Sequence, residues 1–426
     1  MASEMRAIRS TSDEIVPRTG RSTGAALVGV AFLGSFSFWP ALIALGALFD
    51  TLNSQLGWSR SQVTTAQLIF TIISVAAAPV IGPLIDRFGA RPLLLSGLAL
   101  LPAALVMIGF VGDSYAHWVA VWIVASLVGQ LIAPPVWSSG IARSFTRHRG
   151  LALGLAACGF ATATAVVPII IVSFIGLESW RVFYFGMAGF LALVLLPLTF
   201  LFYHEKKCAA EGLVVQTDHV AGPAIDGGSF RHEVLHSQRF WQLGAIVFLV
   251  SFAVGGMMIH LQPLFRSHGL SAPSAASAYA FYGIGGVVGR LLGGWLLDRF
   301  NGGPLPALPM CIFPVLASLA VLAGTGPSVA SFAFVALLIG IAAGVEVDVV
   351  PYLVRRYFAE RFFGRAYISL AAVFVAGAGA SPFVVSLIYD GTGSYGPFLF
   401  STLFTGLVAT ALLVGLGRYP RDSLGR

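Results

Sequence analysis

Two similar stretches of sequence decide the fold. Residues 82–92 read GPLIDRFGARP, and residues 294–304 read GWLLDRFNGGP. Each stretch follows a long apolar run and carries Asp-Arg-Phe at the same place, so that Asp86 and Asp298 are separated by about half of the 426 residues. Repetition at half the chain length is typical of membrane proteins built from two similar helical bundles. The sequence therefore predicts two related halves.

The composition excludes a water-soluble globular enzyme. Hydrophobic residues make up 57% of the chain and charged residues 10%, whereas a soluble domain carries roughly a quarter charged residues. In a soluble protein the formal net charge of +7 would suggest a nucleic-acid partner. In a membrane protein, basic residues instead mark the cytoplasmic side. We therefore expect a lipid bilayer around the chain and no nucleic-acid partner.

Twelve apolar runs are long enough to cross a bilayer as helices, which takes about 20 residues each. The first run is too long for a signal peptide, so we expect it to be retained as a membrane span. The runs cover residues 25–49, 61–85, 92–111, 117–142, 150–176, 181–203, 241–265, 273–297, 305–325, 328–353, 363–389 and 395–417. The predicted fold is an all-α membrane protein with twelve transmembrane helices in two pseudo-symmetric six-helix bundles.

The spans divide the chain into five parts. We expect an N-terminal tail at 1–24, a first bundle at 25–203, an interdomain linker at 204–240, a second bundle at 241–417 and a C-terminal tail at 418–426. With the N-terminus inside, all but three of the 25 Lys and Arg residues fall on the cytoplasmic side, the exceptions being Arg60, Arg181 and Arg266. This bias predicts that both tails and the linker are cytoplasmic. The membrane is then the plasma membrane, or the inner membrane of a bacterium.

The repeated stretch resembles a motif of the major facilitator superfamily, and the likeness extends over essentially the whole chain. The resemblance implies alternating access, in which two bundles rock around a central site formed mainly by spans 1, 4, 7 and 10. It also implies a cytoplasmic latch of charge-assisted hydrogen bonds that holds the outward-open state. We name this set the Asp86 latch. Its members are Gly82, Asp86, Arg87, Gly89 and Arg91 of the GxxxDRxGxR motif, with Asp298 and Arg299 of the second copy.

Two further segments resemble the monocarboxylate transporter and oxalate/formate antiporter branch of that superfamily. Residues 57–60 read GWSR and residues 149–154 read RGLALG. Arg290, eight residues before Asp298, stands where those transporters place the arginine that binds the substrate carboxylate. The chain departs from the branch at Gly286, where animal monocarboxylate carriers have an aspartate, and in spans 1 and 11, which contain no Lys. The resemblance therefore implies an anionic substrate without identifying it or the proton-coupling residue.

Ionisable residues inside the spans are candidate functional groups, because each costs about 2.5–3.5 kcal/mol to insert. Arg290 lies about 12 Å inward from Asp298 at the rise of a helix, and its planar guanidinium can bind a carboxylate bidentately. The alternative for Arg290 is a structural ion pair. Glu346 and Asp348 are two positions apart and so point to opposite sides of a helix. Either can neutralise Arg290, and Glu346 is favoured as the proton-linked group; the alternative is that both are static partners of arginines and helix ends.

Four more residues are predicted to belong to the substrate site. His260 and Gln262 lie next to the helix-breaking Pro263 in the outer half of span 7, and histidine titrates near physiological pH. Gln130 in span 4 and Trp39 in span 1 are predicted to line the path. The alternative for His260 is a hydrogen-bonded structural role, and for Trp39 it is packing.

Other function classes lack their motifs. The chain has no GxxxxGK[ST] phosphate loop, and its three cysteines are too scattered for a zinc site or a disulfide framework. We expect no enzyme activity, no metal and no cofactor. The predicted function is secondary active transport of a small organic anion, a mono- or dicarboxylate, by a monomer that uses proton symport in preference to anion exchange. Two alternatives stay open: proton-driven efflux of drugs or hydrophobic metabolites, and a transporter-like sensor that binds a ligand without moving it.

Overall fold

The computed structural model describes residues 21–145, 149–177, 179–204, 231–300, 303–324, 326, 328–417 and 419. Most of the two predicted tails and most of the predicted linker lie outside these residues. Every regular element of the described chain is helical, and twelve of its helices are long and apolar enough to cross a membrane. The predicted all-α class with twelve membrane helices is confirmed.

We number these helices α1–α12 in chain order. They are α1 Gly24–Leu56, α2 Arg60–Phe88, α3 Ala90–Gly109, α4 Tyr115–Ser144, α5 Gly150–Phe174, α6 Trp180–Phe202, α7 Gln238–Ser267, α8 Ala272–Arg299, α9 Leu305–Leu322, α10 Val329–Tyr357, α11 Phe363–Thr392 and α12 Gly396–Gly415. The main difference from the predicted spans is at the end of α1, which continues past residue 49. It ends at Leu56, and the φ of 68° at the next residue, Gly57, favours glycine and stops the helix.

Two of the helices that face the centre of the fold are broken near their middle. In α1, Trp39 separates a first half, which ends at Phe38, from a second half, Pro40–Leu56. In α4, a short 3₁₀ turn, Gln130–Ile132, precedes a second half that begins at Pro134. Proline fits the first position of a helix because it lacks the N–H that would otherwise be unpaired. Two residues predicted for the site, Trp39 and Gln130, therefore lie at helix breaks.

The buried residues form two hydrophobic cores. The N-terminal core contains buried side chains from Leu27 to Tyr203, joined by Ile259 of α7, and the C-terminal core contains those from Val234 to Tyr419. Val234 lies before α7, in a π-helical turn at Arg231–Leu235. Glu233 of that turn pairs with Arg361 across 2.6 Å. The last part of the predicted linker therefore packs against the C-terminal core.

In the part of the chain that the structure describes, the two cores meet mainly through three pairs of helices: α1 with α7, α2 with α11, and α5 with α8. Glycines allow the backbones to approach closely at these crossings. A Cβ on Gly46 of α1 would collide with the carbonyl oxygen of Ile259, and one on Gly283 of α8 would lie 2.6 Å from the carbonyl oxygen of Ala161. One on Gly379 of α11 would collide with Thr71.

These contacts close one end of the molecule and leave the other open. We name the ends after Arg60 and Asp86, the residues near the two ends of α2. Toward the Arg60 end, Thr64 of α2 is buried and donates a 2.9 Å hydrogen bond to Ser386 of α11. Toward the Asp86 end, α2 becomes exposed, and a Cβ on Gly82 would meet nothing within 4 Å. The cores are thus joined at the Arg60 end and apart at the Asp86 end.

Candidate functional site

A cluster of charged and aromatic residues closes the Arg60 end. We name it the Arg60 gate. It consists of Asp50 of α1, Arg60 of α2, Arg266 of α7, Asp390 of α11, and Tyr395 directly before α12.

Arg60 is the centre of the gate. Its guanidinium lies 3.6 Å from the ring centroid of Tyr389 and donates a hydrogen bond to the Tyr395 hydroxyl. Its Nη2 is also 3.6 Å from Asp50, whose other carboxylate oxygen is 2.6 Å from Arg266. The Arg60 side chain is only 14% exposed. A planar guanidinium can stack on a ring and donate hydrogen bonds at once, so Arg60 joins both cores.

Asp390 binds the N-terminus of α2. Its carboxylate accepts hydrogen bonds from the backbone N–H groups of Arg60, at 3.2 Å, and Ser61, at 2.9 Å. The first N–H groups of a helix have no partner within the helix and carry partial positive charge. A carboxylate from the C-terminal core therefore stabilises a helix end in the N-terminal core.

His260 lies beneath the gate and is fully buried. Its Nε2 is 2.9 Å from the carbonyl oxygen of Pro382, which can only accept, so Nε2 carries the proton. Nδ1 then accepts from the Tyr395 hydroxyl at 3.1 Å. Arg60, Tyr395, His260 and Pro382 thus form a continuous chain of hydrogen bonds. In this conformation His260 holds the closed end together.

The two predicted glutamines are also buried. Gln262 lies on α7 close to His260, in the closed half. Gln130 donates to Ser74 of α2 at 2.9 Å and to the carbonyl oxygen of Ser126 at 3.2 Å. These two bonds hold the Gln130 side chain within the N-terminal core, at the break in α4. Neither glutamine faces the open end in this conformation.

Arg290 and Asp348 lie together in the open half. A Cβ on Gly344 of α10 would lie 2.9 Å from the backbone nitrogen of Arg290, so α8 and α10 are in backbone contact here. Asp348 is one turn beyond Gly344 on the same face of α10, within electrostatic range of Arg290. Both side chains are half-buried. The open half therefore contains one cation and one anion that are only partly buried.

Glu346 occupies the other side of α10. It is 1% exposed, and its electrostatic neighbours are Tyr282 and Cys311. Its Oε1 has no hydrogen-bond partner among the described residues. Because Glu346 is two positions from both Gly344 and Asp348, it points about 200° away from the α8 contact. It therefore lies within the C-terminal core.

Trp39 belongs to an aromatic cluster where α1, α2 and α5 meet. Its ring centroid is 5.4 Å from that of Phe160, 5.7 Å from that of Phe70 and 5.1 Å from that of Phe38. Trp39 and Phe160 are half-buried, whereas Phe70 is buried. Edge-on and tilted rings at such separations attract one another. The cluster fixes the ring of Trp39 at the break in α1.

A cavity of about 460 Å³ lies at the Asp86 end between α1 and α5. Its walls include Val28, Phe32, Phe145, Leu155 and Cys158. None of the residues that line it carries a charge. The wall of this cavity is therefore apolar.

The residues of the Asp86 latch lie at the open end. The Asp86 side chain is 83% exposed and is 3.5 Å from Arg143 of α4. Arg91 donates a 2.8 Å hydrogen bond to the carbonyl oxygen of Phe200 in α6. These contacts stay within the N-terminal core, and Asp298 and Arg299 are at the exposed end of α8. The role of these residues as a latch stays a prediction.

The Arg60 gate was not predicted from the sequence as a functional cluster. Arg60 and Asp390 are separated by 330 residues, so their pairing leaves no local pattern. One signal was available: an arginine in the first turn of α2 is unfavourable there, because that end of a helix is already positive. In this protein the carboxylate of Asp390 supplies the opposite charge at that helix end.

The described residues contain no group of three or more His, Cys, Asp or Glu side chains that could hold a metal ion. What the arrangement can do chemically is bind an anion at Arg290 and exchange a proton at an acid of α10.

The sequence of this chain is similar to one family and to several individual proteins. A family model described as Major Facilitator Superfamily matches residues 24–345. Human Monocarboxylate transporter 11 is 26% identical over 302 residues, which cover 70% of this chain and 60% of that protein. The Oxalate:formate antiporter of Oxalobacter formigenes is 26% identical over 270 residues, 60% of each protein. The Gallate transporter of Pseudomonas putida is 25% identical, covering 60% of this chain and 62% of that protein. The chain spans about 60% of the length of these relatives.

Solved structures share the fold. A bacterial homolog to the human lysosomal transporter Spinster, in an inward-facing and unoccupied conformation, has a TM-score of 0.70 at 16% identity, with 94% of this chain and 97% of that chain covered. A D-xylose-proton symporter has a TM-score of 0.67 at 17% identity, with 94% and 99% covered.

Proposed function

Because this chain belongs to the Major Facilitator Superfamily, we propose that it is a secondary active transporter that moves a small organic anion by alternating access. The family and the relatives are those of integral membrane transporters, which are not enzymes. One observation supports an anionic substrate above all others: Arg290 lies half-buried in the open half, where a carboxylate entering from the Asp86 end can reach it.

The bias of basic residues supports an orientation with the Asp86 end and both termini in the cytoplasm. In that orientation the structure is open inward and closed outward by the Arg60 gate. Transport requires the gate to separate while the Asp86 latch forms between the cores. The membrane is the plasma membrane, or the inner membrane of a bacterium, and the working unit is a monomer.

The guanidinium of Arg290 is the proposed carboxylate-binding group. Its planar fork suits a bidentate contact with one carboxylate. Asp348 already shares the charge of Arg290, so substrate and Asp348 compete for the same cation. Trp39 is proposed as a second substrate contact. His260, Gln262 and Gln130 can contact substrate only when the buried surfaces around them open.

Proton symport is the proposed coupling, with Glu346 and Asp348 as the candidate proton carriers. Protonation of Asp348 would remove its electrostatic attraction to Arg290 and leave the guanidinium free for a carboxylate. Glu346 is enclosed in the C-terminal core, and its unpaired oxygen favours a neutral, protonated side chain. Anion exchange is the alternative coupling, in which a second anion takes the place of the proton.

Uptake of labelled acetate, phenylacetate and oxalate into proteoliposomes tests the proposal. We expect the wild type to transport at least one of these acids, and Arg290→Ala to lower its kcat/KM by about 100-fold, since hydrogen bonds to a charged group contribute about 1.5–3 kcal/mol each. Arg290→Lys keeps the charge without the fork and should recover part of the activity. The matched control is Arg355→Ala, at an exposed position on α10. Normal uptake by both Arg290 variants would exclude the proposed site.

The apolar cavity between α1 and α5 supports a second candidate, proton-driven efflux of hydrophobic compounds. In that case cells expressing the protein would resist a lipophilic drug, and everted vesicles would accumulate it when a proton gradient is applied. Tight binding of a carboxylate without any flux would instead indicate the ligand sensor.

A further inference from the structure

We infer that Trp39 and Phe160 form an aromatic subsite for the apolar body of the substrate, while Arg290 binds its carboxylate. This inference rests on the proposed function and narrows its substrate class. The substrate class is a monocarboxylate that carries an aromatic ring, in preference to a short dicarboxylate.

The two rings are held rigidly. Gly159 of α5 lies against α1, since a Cβ there would collide with the carbonyl oxygen of Phe32. This backbone contact brings Phe160, the next residue, to 5.4 Å from Trp39. Phe70 of α2 supports Trp39 from the buried side at 5.7 Å. Rings fixed in this way lose little side-chain entropy when a ligand binds.

The rings lie on the side of the N-terminal core that faces the C-terminal core. Trp39 is seven residues from Gly46, which contacts the backbone of α7, and residues seven apart share a helix face. Phe160 adjoins Ala161, whose carbonyl oxygen contacts Gly283 of α8. Both rings are half-buried, so each has surface left for a ligand.

The distance from these rings to Arg290 suits one small molecule. Gly283 marks the level of Phe160 on α8, and Arg290 follows it by seven residues, about 10 Å along the helix. A phenyl ring joined to a carboxylate by a short chain can bridge that distance. The ring then lies between the two cores, and the carboxylate lies toward the Asp86 end.

The charges do not suit a second carboxylate. Away from the helix ends, the described spans contain one arginine, Arg290, and no lysine. A second carboxylate would face Asp348 or the uncharged wall between α1 and α5. A buried carboxylate without a partner is strongly unfavourable, whereas an aromatic ring gains by burial there.

Kinetics in proteoliposomes with phenylacetate, acetate and malonate test the inference. For the wild type we expect a KM for phenylacetate about 10-fold below that for acetate, since a ring adds both burial and ring contacts, and no saturable malonate uptake. Trp39→Ala and Phe160→Ala should each raise the KM for phenylacetate about 5-fold, and the KM for acetate should change much less, since acetate has no ring. Trp39→Phe should keep most of the preference.

Phe404→Ala is the matched control, since Phe404 is exposed on α12, far from the path. Melting temperatures of all variants distinguish a lost contact from a damaged fold, and Trp39→Phe covers the case in which Trp39→Ala does not fold. Transport of acetate or malonate in preference to phenylacetate, or an unchanged phenylacetate KM in both alanine variants, would overturn the aromatic subsite and leave the proposed anion transport standing. Absence of transport for all three acids and for oxalate would overturn both.

Discussion

The Asp390 carboxylate accepts a 2.9 Å hydrogen bond from the backbone N–H of Ser61, although the two residues belong to different cores. The closed end is therefore fastened partly through main chain, at the positive end of α2. Because Asp390 is exposed, water can replace these bonds when the cores separate. Such a contact stabilises closure without making it permanent.

Asp390→Asn should weaken closure at the Arg60 end. The amide can still accept one hydrogen bond, but the charge that complements the helix end is lost, a change of about 0.3–1 kcal/mol. We expect a shift of about two- to five-fold toward the open conformer, measured as a distance distribution between spin labels at Asn53 and Thr392. Asp113→Asn, at an exposed acid outside the gate, is the control. An unchanged distribution would show that the bond contributes nothing to closure.

Arg60→Ala should open the same end further than Asp390→Asn does. It removes the stacking on Tyr389 and the hydrogen bond to Tyr395, and a desolvated cation–π contact contributes about 2 kcal/mol. Arg60→Lys restores the charge without the planar fork, so we expect an intermediate distribution with the same two labels. Equal distributions for the lysine variant and the wild type would mean that charge alone closes the gate.

His260→Gln should change the conformational equilibrium in preference to substrate affinity. Glutamine cannot reach Pro382 and Tyr395 at once as the imidazole does, and a buried group left unpaired costs about 1–3 kcal/mol. We expect a lower melting temperature and a shift toward the conformer open at the Arg60 end. Uptake kinetics provide the contrast: a raised KM with unchanged stability and label distances would instead make His260 a substrate contact.

The two acids of α10 should separate in the pH dependence of uptake. If Asp348 must be protonated to release Arg290, wild-type uptake rises as the external pH falls. Asp348→Asn then resembles the protonated state, and its uptake should vary little with pH. Glu346→Gln, on the opposite side of the helix, should keep the wild-type profile. The reverse result, a flat profile only for Glu346→Gln, would assign the proton to Glu346.

Gly344→Ala should abolish transport through packing alone. A Cβ at this position would collide with the carbonyl oxygen of Gly286 and lie 2.9 Å from the nitrogen of Arg290, so α8 and α10 must separate. Overpacking of this kind costs about 1–3 kcal/mol, and it moves the guanidinium. Gly186→Ala on α6, where a Cβ meets nothing within 4 Å, is the control. Wild-type uptake and stability in Gly344→Ala would mean that the two helices are not held at this contact.

The helices could be predicted from the sequence because each depends on its own residues. Twelve apolar runs gave twelve helices, and the spacing of Glu346 and Asp348 indicated opposite faces of α10. Their surroundings could not be predicted. That Asp348 faces Arg290 depends on the glycine contact between α8 and α10, and that Glu346 faces Cys311 depends on the position of α9.

The site was harder to predict because its polar residues serve the conformation as well as the path. His260, Gln262 and Gln130 are polar residues in apolar helices, which favoured a binding role. The structure gives His260 and Gln130 hydrogen-bond partners inside the protein. Whether these side chains have partners inside the protein or face the path depends on which half of the molecule is closed. A pattern along one helix contains no information about which half that is.

The glycine seam between α8 and α10 has a consequence for the transport cycle. Gly285 and Gly289 of α8 meet the backbone of α10, as Gly340 and Gly344 of α10 meet that of α8. Helices this close have no room to slide or tilt separately. Arg290 and Asp348 therefore move together as parts of one rigid body, and the distance between them stays constant while the cores rock. When the cores rock, the position of the aromatic wall relative to an anion bound at Arg290 changes, whereas that of the charged wall does not. The aromatic wall therefore differs between the two open conformations.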